Sequence, residues 1–457
     1  MSLGSRFYRQ KGRVTMDENE LMGSMKVSKA VAKMAIPSVI SSLVTVVYNM
    51  ADTFFVGQTG DPLQVAAVSL TNPIFILFMA FANMFGMGGS AAASMALGEK
   101  KEKRVKQVSS FITYASLIVG IVFAAILLVG MQPVLQLFGA DADTYELAKG
   151  YTTYISYGAP FIIWSAAASF VVRADGASRE AMTGSMIGTV ANIILDPIFI
   201  SGFGMGAAGA AIATTIGNIM ASVYYLWYFC RKSRNMSMAF RYFKCGDRIL
   251  SQVCSAGLPT AIFSALMSIS TIILNQILVA YGNAPVAAIG IVFKANMFIT
   301  FLQMGLANGV QPLLGYSYGA GNRERFLAVE RYTKKCCLIV GVLATALFFF
   351  FREPIIRLFI SDTEVINYGV EMLIAYMISG PVIGILFMNM NCMQSTGNAL
   401  PATILSILRQ GVLLISVLYG LNALLGLHGV IYGQALTDYV AVLLSIVIWR
   451  WKRRKTL

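Results

Sequence analysis

Two aspartates stand in stretches of this chain that are otherwise apolar. Asp52 lies in Tyr48-Asn49-Met50-Ala51-Asp52-Thr53-Phe54-Phe55, and Asp196 in Asn192-Ile193-Ile194-Leu195-Asp196-Pro197. A carboxylate with no water around it is costly unless it is paired, protonated or coordinating a cation. Two such groups held together repel as anions, so a shared proton or a bound cation is the natural resolution. With an amide and a hydroxyl added, at Asn192 and Thr214, the oxygen set would also suit Na⁺. Pro197 follows Asp196 directly and frees a backbone carbonyl as a further ligand. The chemistry these residues suggest is therefore cation or proton binding, with no covalent step.

The elements that carry them must be helices in a bilayer. Hydrophobic residues make up 57% of the 457 residues and charged residues 12%. A soluble domain carries roughly a quarter charged residues. Apolar runs of about 20 residues, enough to span a membrane as a helix, recur near 33–57, 66–97, 108–138, 147–173, 182–202, 205–230, 250–281, 286–318, 331–358, 366–394, 402–424 and 426–450. The runs are continuous, whereas a barrel strand would be about 10 residues of alternating pattern. The first and fifth helices run in the same direction. Asp52 and Asp196 each lie roughly 8–9 Å below the outer end at about 1.5 Å per residue. Asn192 is one turn below Asp196 on the same face, and Thr214 of the sixth helix is at a similar depth.

The twelve segments are two copies of six. Shifting the sequence by 221 positions (319 − 98) lays Val65-Ala66-Ala67-Val68 on Val286-Ala287-Ala288-Ile289, and Gly98 with its basic tail on Gly319 with its own. It also lays Gly158-Ala159-Pro160 on Ser379-Gly380-Pro381, and Gly176 on Gly397. An even number of helices per copy means that both copies enter the membrane from one side, related by an axis along the membrane normal. The expected fold is an all-α membrane protein: twelve transmembrane helices in two six-helix repeats. The expected domains are a cytoplasmic N-terminal segment 1–32, an N-lobe 33–230, a cytoplasmic linker 231–249 and a C-lobe 250–457. Fused repeats of this kind point to a secondary transporter whose halves rock about a central site.

The net charge of +14 reads as topology. Basic residues crowd the N-terminus, residues 100–106, 231–248 and 323–335, and the C-terminus, while the alternate loops are nearly bare. The positive-inside rule then puts both termini in the cytoplasm, and the chain in the cell (plasma or inner) membrane. Arg352 and Arg357, near an outer end, can snorkel to the headgroups. No nucleic-acid partner is expected. The six cysteines fall toward the cytoplasmic side, where disulfides are disfavoured. There is one histidine, His428, in an outer loop, and no cluster with metal-ligand spacing. The polar first ~30 residues lack the apolar core of a removable signal peptide. No Gly-rich loop ending in Lys-Ser/Thr is present to bind ATP phosphates. Neither a nucleophile–histidine pair nor a metal triad supports an enzyme.

The copies differ where chemistry would sit. The stretch matching Asp52, near Ile273-Leu274-Asn275-Gln276, has amides and no acid, and the stretch matching Asp196, 413–417, has neither. In the second copy Lys294 and Asp438 lie at similar depth, which permits a buried ion pair, with a substrate-facing Asp438 as the alternative. Asn49 and Gln276 are further polar candidates for contacts to substrate or within the fold. Pro37, in the first helix, reads either as a kink or as a helix start. The 25 methionines and 28 phenylalanines would suit a pocket that accommodates varied shapes.

The motif Ala51-Asp52-Thr53-Phe54-Phe55-Val56-Gly57, the run Asn192-x-x-x-Asp196-Pro197 and the two copies of about 220 residues together resemble the MATE family of multidrug and toxic compound extrusion transporters, over about residues 29–450. Within it the chain is similar to the bacterial and archaeal branch with its coupling acids in the N-terminal lobe. The resemblance implies a cation site at Asp52, Asn192, Asp196 and Thr214, joined by a fourth-helix tyrosine, Tyr151 or Tyr154. It also implies a first-helix hinge at Pro37. Another branch of the family carries acids in the C-terminal lobe as well, and Asp438 keeps that pattern in view. The implied function is H⁺- or Na⁺-coupled antiport of organic, cationic amphipathic compounds by a monomer without cofactors. The alternative is a flippase or exporter of a lipid-linked or natural product, which would need a cavity lined by Arg and Lys; Lys294, Arg173 and Arg409 are the candidates.

Overall fold

The computed structural model describes residues 20–457, and among them every regular element is helical. The first 19 residues, most of the expected segment 1–32, lie outside the described residues. The spanning helices are α1 (Val27–Gly57), α2 (Pro62–Gly98), α3 (Glu102–Val129), α4 (Tyr145–Ala174), α5 (Ser178–Pro197), α6 (Gly206–Arg231), α7 (Ile249–Val279), α8 (Asn283–Gly319) and α9 (Arg323–Phe350). They are followed by α10 (Thr363–Ile378 with Gly380–Ser395), α11 (Ala399–Ile407, continuing to Leu425) and α12 (Leu427–Thr456). The two pieces of α10 meet at a 45° bend, so the described residues contain 11 helices able to cross a membrane, or 12 with the bent pair as one span. Ser379 and Pro381 sit at that break, where proline removes a ladder donor.

The duplication is visible in the packing. In the N-lobe α2 packs on α4, α3 on α4, α4 on α6, α5 on α6 and α1 on α5; in the C-lobe α8 packs on α10, α9 on α10, α10 on α12, α11 on α12 and α7 on α11. Between lobes, α1 lies along α8 and α2 along α7, the same pairing with the copies exchanged. These crossings are tight because they are built from small residues. A Cβ on Gly88 would stand 1.9 Å from the Val253 carbonyl oxygen, and one on Gly257 would stand 1.9 Å from that of Met84. Gly309 rests on Ala35 and Gly305 on Val39 in the same way. These approaches gather toward the end that carries the start of α1, the end of α8 and the linker. At that end the lobes are closed against each other.

Pro37 lies inside α1, which already begins at Val27, so the helix-start reading is corrected: the polar stretch around Lys33 is helical as well. The turn after it is held from α4, where Arg173 donates through Nη1 to Ser38 Oγ at 3.0 Å.

The linker is strapped to the N-lobe. Ser109 and Ser110 of α3 donate to the Ser237 and Ala239 carbonyls at 3.0 and 3.1 Å, and Tyr114 donates to that of Met238 at 3.0 Å. Asp175, in the α4–α5 turn, accepts from Tyr228 (2.8 Å), Ser233 (2.6 Å) and Asn235 (3.0 Å). Burial pushes this carboxyl up from the ordinary aspartate range, against the pull of its three donors. Hydrogen bonds to a charged group contribute about 1.5–3 kcal/mol each. Asp175→Ala is therefore expected to free the strap and speed tryptic cleavage within residues 231–248 by about 10-fold or more. An unchanged cleavage rate would show that Asp175 does not anchor it.

Candidate functional site

Four helices of the N-lobe bring the polar residues together. Asp196 is the next-to-last residue of α5, before Pro197, and the chain continues through a π-helical turn, Ile198–Gly202. Turns of that kind are frequent at functional sites. Asp196 is fully buried, and Asn192 and Thr214 are nearly so. With the Asn192 amide oriented to satisfy both of its ends, its nitrogen donates to Asp196 Oδ2 at 3.1 Å and its oxygen accepts from the Thr214 backbone N–H at 3.0 Å. The Thr214 hydroxyl meets the Tyr48 hydroxyl at 3.2 Å. Asn218 donates to the Thr214 carbonyl at 2.9 Å and accepts from Ser165 at 2.9 Å. The network thus runs from α4 through α6 and α5 to the first helix.

Asp52 is half-buried on α1, one turn beyond Tyr48 on the same face. Its charge reaches Asp196, Tyr48 and Tyr151, so the two carboxylates belong to one electrostatic unit. Of the two tyrosines left open by the sequence, Tyr151 is buried beside both acids. Tyr154 is 36% exposed and enters only through its backbone carbonyl, which accepts from Thr215 at 3.0 Å. Asn49 turns back on its own helix and donates to the Thr45 carbonyl at 2.9 Å.

Sequence reasoning missed Tyr48, Asn218 and Ser165. Tyr48 carried a signal, since it precedes Asp52 by four residues; the other two are revealed only by which helices pack together. In the C-lobe the expected Lys294–Asp438 pair is corrected. Lys294 is exposed, and Asp438 is bound instead by Arg409, Nε to Oδ1 at 2.9 Å. Equal depth fixes height along the helices but not which faces meet. Gln276 is exposed as well.

A carboxylate pair with amide and hydroxyl partners, set between helices that belong to different packing layers, can exchange a proton or a small cation. Such binding can change how α1 packs on α5 and α6. Among the described residues no group of three His, Cys, Asp or Glu could hold a metal ion.

Comparison with known proteins agrees with the fold. The chain is 32% identical over 422 residues to "Multidrug export protein MepA" of Staphylococcus saprophyticus, covering 92% of this chain and 93% of that one. It shows the same identity and coverage against the protein of that name from Staphylococcus aureus. Its fold is similar to a crystal structure of MATE in the straight conformation, with TM-score 0.90, 25% identity and 95% and 97% of the two chains covered. It is likewise similar to the outward-facing conformation of a multidrug resistance MATE family transporter of the MOP superfamily, with TM-score 0.87, 25% identity and 94% and 96% covered. The MatE family model matches twice, at residues 37–198 and 259–419, once in each copy. On that double match and the fold that carries it, the chain belongs to the MatE family.

Proposed function

We propose that this chain is a cation-coupled antiporter that exports organic, cationic amphipathic compounds by alternating access. The observation that carries the coupling is the buried Asp196, hydrogen-bonded by Asn192 and within the influence of the Asp52 charge, in one lobe only. Export rests on the multidrug-export relatives. A proton, or Na⁺ held by the oxygens named above, neutralises the pair and shifts the packing of α1. In the lobe arrangement described here, ion binding favours drug release, and drug binding from the other side favours ion release; the coupling is reciprocal by linkage. The basic ends of α2, α6, α8 and α12 support a plasma-membrane protein with both termini in the cytoplasm, which makes this arrangement outward-facing. The chain needs no cofactor beyond the coupling ion, performs no covalent chemistry and acts as a monomer in the bilayer.

Of the basic residues the flippase alternative needs, Arg173 is engaged with Ser38 and Ser169, Arg409 is bound through Nε to Asp438, and Lys294 is exposed.

Ethidium efflux from proteoliposomes, under proton and sodium gradients imposed separately, tests the reading. Efflux is expected with at least one inward ion gradient and should stop when that gradient is collapsed. Efflux indifferent to both gradients would overturn ion coupling.

A further inference from the structure

The 221-residue repeat makes a comparison that neither lobe offers alone. In the N-lobe, α5 and α6 cross at Gly188 and Gly217. A Cβ on Gly217 would lie 2.5 Å from the Gly188 carbonyl oxygen, and Gly158 of α4 is pressed as closely against Thr215. The same three positions in the C-lobe are Ser379, Arg409 and Asp438. Conversely, the C-lobe positions matching Asp52, Asn192, Asp196 and Thr214 are Ile273, Leu413, Val417 and Ala435. The Asp196 and Asp438 centres thus occupy non-equivalent places in the two lobes.

The C-lobe centre is built and nearly closed. Asp438 Oδ1 accepts from Arg409 Nε at 2.9 Å and Gln434 Nε2 at 3.0 Å, and Oδ2 accepts from Ser379 Oγ at 2.8 Å. Arg409 sits on the π-helical turn Leu408–Leu413. Its guanidinium carbon is 5.3 Å from the Phe263 ring centre and 5.8 Å from that of Phe387. The Arg409 side chain is 7% exposed, yet its Nη1 is buried without a hydrogen-bond partner. A buried guanidinium nitrogen left unpaired is costly and calls for an explanation. Phe263 and Phe387 belong to the packed cluster that joins Val31 and Met34 of α1 to the C-lobe, so parting the lobes at this end uncovers them.

We propose that Arg409 Nη1, between Phe263 and Phe387, is a substrate subsite for a neutral acceptor oxygen, a ring carbonyl of a planar aromatic compound, open when the lobes part at the terminal end and shut in the state described here. The charge already present selects the acceptor. A second carboxylate beside Asp438 would meet like-charge repulsion, and a cation would compete with Arg409 for the same acid. A carbonyl accepts the spare N–H without adding charge, beside the edge-to-face pair that Phe263 and Phe387 form, ring centres 6.1 Å apart. Closing the lobes withdraws the subsite, so it binds cargo better in one state than the other, as a transported compound requires. The cargo role rests on the exporter reading; the binding does not.

The test uses two fluorescent probes with one ring skeleton: 10-methylacridone, neutral with a ring carbonyl, and 10-methylacridinium, a permanent cation without one. Binding is measured by fluorescence anisotropy on the purified protein in detergent, with empty micelles as blank. The main variant is Arg409→Met with Asp438→Leu, because a buried pair can be exchanged for apolar residues without loss of folding. Arg409→Lys is the second: it keeps the charge and the contact to Asp438 but not the planar fork that leaves a donor free. Both variants are expected to bind 10-methylacridone about 10-fold or more weakly, the loss of a hydrogen bond from a charged donor, while 10-methylacridinium binds within about 2-fold of wild type. Equal 10-methylacridone affinity in wild type and both variants, or none in wild type, overturns the subsite. A parallel loss of both probes overturns it too, since that reports a general change in the lobe. Failure of wild type to transport 10-methylacridinium under either gradient would instead count against the exporter reading, leaving the binding result to decide the subsite.

Discussion

Asp196→Asn is expected to bring ion-driven ethidium efflux down by about two orders of magnitude, the upper range of a coupling between two sites, while the protein stays folded. The amide keeps the volume of the carboxylate and can still accept from Asn192, so the hydrogen bond at 3.1 Å survives in kind. What disappears is the charge that a proton or cation would neutralise. Asp52→Asn acts in the same direction, because the Asp52 charge acts on Asp196 of α5 and Tyr151 of α4. Efflux read alongside thermal melting in detergent separates coupling from folding: a Tm close to wild type with efflux gone supports the assignment. Wild-type efflux in both single variants would place the coupling group elsewhere, with Asp438 the next carboxylate to examine.

Gly88→Val should be nearly as damaging for a different reason. The added Cβ would stand 1.9 Å from the Val253 carbonyl oxygen and 2.9 Å from the Gly257 nitrogen, and backbone on both sides leaves no side chain to swing aside. Overpacking of this kind costs about 1–3 kcal/mol where neighbours can yield. Here the cheapest relief is to part the lobes. A bias of about 3 kcal/mol shifts a two-state equilibrium more than 100-fold, and one locked state transports nothing. Efflux below about a tenth of wild type is expected, together with a longer distance between spin labels at Lys100, just past the end of α2, and Arg323, at the start of α9. Gly290→Ala is the control, because a Cβ there meets nothing within 4 Å. A Gly88→Val protein with wild-type efflux and label distance would mean that α2 and α7 do not form the gate.

The amino-acid sequence by itself determined the scaffold and the height of its charges. Apolar runs of spanning length leave the backbone no choice but helix in a bilayer. The exact 221-residue shift from Gly98 to Gly319 then dictates two lobes with the same helix pairing. A rise of about 1.5 Å per residue was enough to put Asp52, Asp196 and Thr214 at one level. Rotation about each helix axis is a different quantity, and it depends on which neighbour is packed alongside. Only the tertiary structure shows Tyr151 buried and Tyr154 partly exposed, adds Tyr48 to the network and leaves Lys294 exposed. Asp438 and Arg409 are 29 residues apart in the chain and look unrelated there; the crossing of α11 on α12 makes them partners. The reason is physical: burying a charge is so costly that its partner is selected by contact in three dimensions, and contact between helices is what the linear pattern of one chain does not encode.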